Sequence, residues 1–160
     1  MKSKIITSGI AVLTLLLTAS ATTVFIASNS DSKVPVISDR AKSLAALTRT
    51  LEYDFDRPAI RNNYYSNLDQ LAKEIKSSNY AISLRGHADS IGKYKYNWVL
   101  SDKRAINVKK YLVSKGIKAE RIITTPFGST VPIASNKTEA GRQKNRRVEI
   151  ELKAIDLRQQ

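Results

Sequence analysis

Tyr80-Ala81-Ile82-Ser83-Leu84-Arg85-Gly86-His87-Ala88-Asp89-Ser90-Ile91-Gly92 is the stretch on which the fold turns. Tyr80, Ile82 and Leu84 alternate with Ala81, Ser83 and Arg85, the period of two that marks a strand with one buried face. The alternation stops at Gly86, and Gly86 to Gly92 reads as a loop. Downstream the period changes to that of a helix, from about Asn97 to Ser114, with Ala105, Val108 and Leu112 on its buried stripe. Gly116 falls where a left-handed C-terminal cap would sit.

Outward from this unit the pattern repeats. Upstream, Leu51, Tyr53 and Phe55 alternate with Glu52 and Asp54, which predicts a half-buried strand. Asp56-Arg57-Pro58 ends it, and proline suits a first helical turn. Tyr64, Leu68, Leu71, Ala72 and Ile75 then mark one face of a helix ending near Ser77. Downstream, Arg121 to Thr125 reads as a third strand. Val148, Ile150 and Leu152 alternate with Glu149 and Glu151 in a fourth. The connection from Pro126 to Arg146 is long for a compact domain, so it is either functional or holds a short helix near Thr138 to Lys144. The order predicts an α+β fold of the βαβαββ type, helices packed on a mixed four-stranded sheet.

The chain has 160 residues, 42% hydrophobic and 26% charged, an ordinary globular balance. Its formal net charge of +13 favours anionic partners: nucleic acid, anionic lipid, or carboxylate-bearing peptides. The basic residues are scattered, so most read as a solvated surface. No cysteine is present, which excludes disulfides, thiolate metal sites and a lipid on an N-terminal cysteine. With one histidine besides, no metal site or cofactor is expected. Lys2 and Lys4 precede 24 uncharged residues, Ile5 to Ser28, long enough for a helix to span a membrane. Residues 1–28 are therefore an export segment. Ala19-Ser20-Ala21 fits a cleavage site, whereas Val24-Phe25-Ile26 prolongs the run toward a retained anchor with the domain outside. Both readings stay open. Residues 29–40 form a linker, and a folded domain is expected over 41–155.

Four segments within that domain carry a resemblance. They are Tyr53-Asp54-Phe55-Asp56, Gly86 to Gly92 as quoted above, Tyr96-Asn97-Trp98-Val99-Leu100-Ser101-Asp102-Lys103-Arg104-Ala105, and Asn136 through Val148 with its Asn145-Arg146-Arg147 core. In content, order and separation they resemble the OmpA-like peptidoglycan-binding family over roughly Thr48 to Leu152. The resemblance implies an exported cell-envelope protein, periplasmic and either outer-membrane-associated or anchored by its N-terminal helix. It would bind peptidoglycan non-covalently through the diaminopimelate of the stem peptide. It also implies that Asp89 meets an ammonium group and Arg104 a carboxylate. The chemistry agrees, because diaminopimelate joins an amine and a carboxylate on one carbon, and an arginine fork matches a carboxylate.

Asn97 matches the family's Tyr-Asn pair and would hold the loop or touch the peptide. Asp56 occupies the acidic position bordering the family's pocket, but capping of the following helix is the favoured role. Arg146 shares the phase of Val148 and reads as a semi-buried arginine in a salt bridge, or as a ligand contact. Arg147, in phase with Glu149 and Glu151, is expected to be exposed. Ala88 stands where the family more often has threonine. Taken singly, Asp89 and Arg104 would read as solvated surface charges, so their replacement is expected to leave the fold nearly intact.

Other classes fit less well. An enzyme would need more than His87 and Asp89, and no Gly-x-Ser-x-Gly nucleophile motif occurs. A nucleic-acid binder would need cytoplasmic residence and a basic helix or aromatic platform. A stator or assembly subunit that uses the domain as its wall anchor is compatible with the main reading.

Overall fold

The computed structural model describes residues 44, 46–48 and 50–155. The export segment 1–28 and the linker 29–40 lie outside the described residues. Among the latter, the elements are β1 (Leu51–Glu52), α1 (Tyr65–Lys76), β2 (Tyr80–Gly86), α2 (Tyr94–Ser114), β3 (Ile122–Pro126), α3 (Glu139–Asn145) and β4 (Arg147–Ala154). The sheet order is β1-β4-β2-β3. β4 runs antiparallel to β1 and β2, and β2 runs parallel to β3. This is the mixed four-stranded sheet with covering helices that the alternating periods predict.

Alternation decides which face is covered. Ile82, Leu84, Ile122, Val148 and Ile150 are buried, while Ser83, Arg85, Glu149 and Glu151 on alternate positions reach solvent. Leu68, Leu71, Ala72 and Ile75 of α1 and Ala105, Val108 and Leu112 of α2 complete the core. Each fully buried leucine or isoleucine contributes about 1.5–3 kcal/mol. Two glycines fix where α2 sits. A Cβ on Gly86 would lie 1.9 Å from the Ser101 carbonyl oxygen, so the helix backbone rests directly on the end of β2. At the other end Gly116 has φ +91. There Gly116 N–H donates to Val113 O at 2.9 Å and Ile117 N–H to Leu112 O at 3.2 Å, with Ile117 and Leu112 both buried.

Several expectations need correction. α2 starts at Tyr94, a turn before Asn97, because its N-cap is Lys93, whose side chain makes no capping bond and gives no sequence signal. The first strand pairs only through Leu51 and Glu52. Phe55, expected inside, is 54% exposed, and Asp56 has φ 55. The chain leaves the sheet because the carbonyls of Asp54 and Arg57 are taken by the Arg104 guanidinium. Pro58 therefore lies in a loop, ahead of a 3-10 turn at Asn62–Tyr64 that leads into α1. Arg147 is buried, 1% exposed, instead of solvated. The 126–146 connection folds over that face of the sheet, and Arg147 donates to Val131 O and to the Glu149 carboxylate. The short helix expected in that connection is α3, capped by Thr138 Oγ1, which accepts from Gly141 N–H at 3.1 Å.

Candidate functional site

β2 runs out at Gly86 and delivers Ala88 and Asp89 against the first turns of α2. A cavity of about 140 Å³ opens there, lined by Phe55, Asp56, Ala88, Asp89, Ile91, Gly92, Tyr96, Asn97, Leu100, Arg104 and Arg146. All five residues singled out from the sequence, Asp56, Asp89, Asn97, Arg104 and Arg146, line this one cavity.

Arg104 is its least expected member. Taken singly it would read as a solvated surface charge, but it is wholly buried, at 0% exposure. Its Nε donates to Arg57 O at 3.0 Å, Nη1 to His87 O at 2.9 Å and Nη2 to Asp54 O at 3.0 Å. The guanidinium also stands 5.1 Å from the centre of the Tyr53 ring. Burial pushes its pKa down to about 10, with Tyr53, Asp89 and Asp56 pulling the other way. It therefore stays charged at neutral pH. Among the described residues no carboxylate bridges it. With five N–H groups on a guanidinium and three bonds made, two N–H groups are left over.

Asp89 is equally buried, at 3% exposure. Its Oδ1 accepts from Ile91 N–H at 2.9 Å, an Asx turn that shapes the loop. Its Oδ2 accepts from Arg146 Nη1 at 2.9 Å. Asn97 pins the same loop from α2, donating from Nδ2 to Asp89 O at 3.1 Å and Ile91 O at 3.0 Å. Arg146 is the salt-bridged, buried arginine expected from its phase. Besides Asp89 it holds Glu139 at 2.7 Å and Gln143 at 2.6 Å through Nη2. Burial works to lower its pKa, but hydrogen bonds to Asp89 and Glu139 outweigh this and leave it raised. Glu139 in turn is lowered by Arg146 and Arg142. Asp56 does not cap α1, whose N-cap is Tyr64 with no side-chain capping bond. Its carboxylate accepts from the Tyr96 hydroxyl across the rim of the cavity.

Sequence reasoning left several of these groups unassigned. Phe55, Ile91 and Tyr96 lie inside the quoted motifs, but their roles as half-exposed rim residues depend on the turn at Asp56. Glu139 and Gln143 were findable, since a spacing of four places them on one face of a short helix.

His87 lies on the other side of the sheet end. It is buried and stacks on Phe127 with centroids 5.2 Å apart. Burial, then the Arg147 charge, push its pKa down to about 4. Among the described residues neither ring nitrogen has a hydrogen-bond partner, with the Glu149 carboxylate 3.7 Å from Nε2, and the Asp89 carboxylate is engaged by Arg146. His87 and Asp89 thus form no acid–base pair; the histidine shapes the loop. Among the described residues no group of His, Cys, Asp and Glu is suited to hold a metal ion, and no helix is long and apolar enough to cross a membrane.

The molecule is of the class of mixed α/β domains, a four-stranded sheet with three helices, in which a loop acid and a helix arginine meet at one cavity. The family model described as OmpA family matches residues 52–146, and the chain belongs to that family. It is 48% identical over 101 residues to outer membrane protein A of Bordetella avium, covering 62% of this chain and 52% of that protein. The chain thus spans about half the length of that relative. Its fold is similar to the crystal structure of the peptidoglycan-associated lipoprotein from Burkholderia pseudomallei, with a TM-score of 0.64 and 29% identity over 66% of this chain and 90% of that one. It is also similar to the cell wall anchor of the T6SS from Pseudomonas aeruginosa, with a TM-score of 0.57 and 28% identity over 66% of this chain and 80% of that one.

Proposed function

We propose that the domain binds peptidoglycan non-covalently through the diaminopimelate of the stem peptide. Arg104 takes its carboxylate and Asp89 its ammonium group. The observation that carries this reading is a fully buried, charged Arg104 that no carboxylate among the described residues bridges, lining the same cavity as a buried Asp89. A buried cation is costly unless matched, and a ligand carboxylate would supply the match through the two spare N–H groups. Each Asp89 oxygen accepts one bond in the free protein and has a lone pair left for an ammonium donor. The names of the relatives in the outer membrane and at the cell wall support the same reading. The domain would grip without reacting, since its one histidine is buried on the far side of the sheet end from the cavity, stacked on Phe127. Residues 1–28 would export it to the periplasm and either be removed or remain as the membrane anchor.

The similarity to a cell wall anchor of the T6SS favours one further reading. The domain would serve as the wall-holding part of an envelope assembly whose other members this chain does not identify.

The test is co-sedimentation of the full chain with diaminopimelate-type sacculi. Wild type should pellet with the sacculi, and Asp89→Asn should lose most binding, because an unpaired buried charge costs roughly 2–5 kcal/mol. Lys110→Ala, which removes an exposed charge, should bind normally. The masses of stem peptides and glycan fragments should not change. Equal sedimentation with and without sacculi would refute the proposal.

A further inference from the structure

The chain carries +13 overall, yet the ionised side chains gathered at the cavity balance. Asp56 and Asp89 stand against Arg104 and Arg146 in its lining, and Glu139 and Arg142, paired behind Arg146, add one charge of each sign, three acids and three arginines in all. Glu139 is the pivot of that balance. Its Oε1 accepts from Arg146 Nη2 at 2.7 Å, and its Oε2 accepts from Arg142 Nε at 3.0 Å and Nη2 at 2.8 Å. Arg146 therefore divides its charge between Glu139 and Asp89, which it meets at 2.9 Å.

Resting on the peptidoglycan reading above, we infer that Glu139 and Arg142, neither of which lines the cavity, set its preference for a zwitterion over an anion. If Arg146 faced Asp89 alone, the pair would cancel and the ligand's ammonium group would find no net negative charge. Glu139 draws part of the Arg146 charge away and leaves Asp89 able to attract a cation. Arg142 limits that effect by occupying the other Glu139 oxygen. Both are positioning residues for the site's charge. The chemistry selected is an amino group and a carboxylate on one aliphatic carbon, as against a bare carboxylate. A basic chain without this balance would favour anions indiscriminately.

Two substitutions separate this role from a merely structural one. In Glu139→Gln the amide oxygen can still accept from Arg146, and Gln143 Oε1 remains on the same nitrogen at 2.6 Å, so the bonding to Arg146 persists while the charge and the two bonds from Arg142 are lost. The cavity then sums to one positive charge. Arg142→Gln does the reverse and leaves one negative charge. The full chain is titrated calorimetrically with meso-diaminopimelate and with pimelate, which has the same carbon chain and carboxylates but no amines. Relative to wild type, Glu139→Gln should lower the diaminopimelate-to-pimelate affinity ratio by about tenfold, the scale of one charge removed from a partly solvated site. Arg142→Gln should raise it. If both variants move the ratio the same way, or neither moves it, the inference is overturned while the peptidoglycan reading stands. Wild type that binds neither probe overturns both. Should Glu139→Gln fail to fold by circular dichroism, the sign of the Arg142→Gln shift decides alone.

Discussion

Replacing Arg104 by lysine tests whether one side chain serves both the fold and the site. Lysine keeps the charge but loses the fork. In the wild type three nitrogens reach three carbonyls, those of Asp54 and Arg57 on the chain leaving β1 and that of His87 at the end of β2. An ammonium at the end of a single stem cannot reach all of them, so two buried or part-buried carbonyls should be left without a donor. Each unsatisfied buried group costs about 1–3 kcal/mol, which gives a loss of roughly 2–4 kcal/mol once some relaxation is allowed. For a domain of this size the midpoint of thermal unfolding should fall by roughly 10–20 °C. Chemical denaturation followed by circular dichroism measures the loss. Sacculus binding is then measured at a temperature where the variant is folded, and it should be greatly reduced. An unfolding midpoint equal to wild type would refute the reasoning, because it would mean that the loop carbonyls do not depend on the guanidinium. The expectation from sequence is the opposite, that substitutions at Arg104 leave the fold nearly intact, and the measured midpoint decides between the two.

His87 supplies a pH dependence. Its folded pKa, about 4, lies below the ordinary 6.5, so the unfolded chain binds the proton more readily. Its contribution to stability is complete above about pH 6.5 and is lost as pH falls toward 4, at most about 3 kcal/mol. The difference in denaturation free energy between wild type and His87→Phe should follow that window; a difference flat from pH 7 to pH 4 would contradict it. The two structural glycines should differ in kind. Gly86→Ala puts a Cβ 1.9 Å from backbone and should cost about 3 kcal/mol or more, with binding lost as α2 shifts. Gly116→Ala meets only the end of the Lys76 side chain, at 2.7 Å. It should cost about 1–2 kcal/mol for the left-handed backbone and leave binding intact, as calorimetry and sedimentation would check.

The elements were legible where burial imposes a period. Ile82 and Leu84, and the α1 and α2 stripes, alternate because one side of each element faces the core, and that is a property of local sequence. The failures lie where a distant side chain overrides the local pattern. Leu51-Glu52-Tyr53-Asp54-Phe55 reads as a strand throughout, but its second half is held by a guanidinium some fifty residues on. Arg147 alternates as an exposed residue should, but it is covered by a connection whose course no period encodes. Lys109, one of the scattered basic residues, shows the same effect, since its Nζ donates to Ile122 O at 2.6 Å. For the site, the resemblance and the chemistry of Asp89 and Arg104 chose residues that do meet at one cavity. Sequence could not show that no carboxylate among the described residues bridges Arg104, because that is a fact about the whole surrounding shell.

That shell ties stability to recognition. Asp89 shapes its own loop through Ile91, Asn97 ties the loop to α2, and Arg104 ties both to the chain leaving β1. Groups so fully engaged lose little freedom when a ligand arrives, so binding incurs a small ordering cost. The same engagement means that Arg104 and Asn97 cannot be removed as mere ligand contacts, since each also closes a loop against the core. Asp56 and Tyr96 are the exception. Both are exposed, and their hydrogen bond closes across the rim without holding any buried backbone group. Substitutions there can change access to the cavity with little effect on the fold, whereas loss of binding after substitution of Arg104 is interpretable only beside a measured stability.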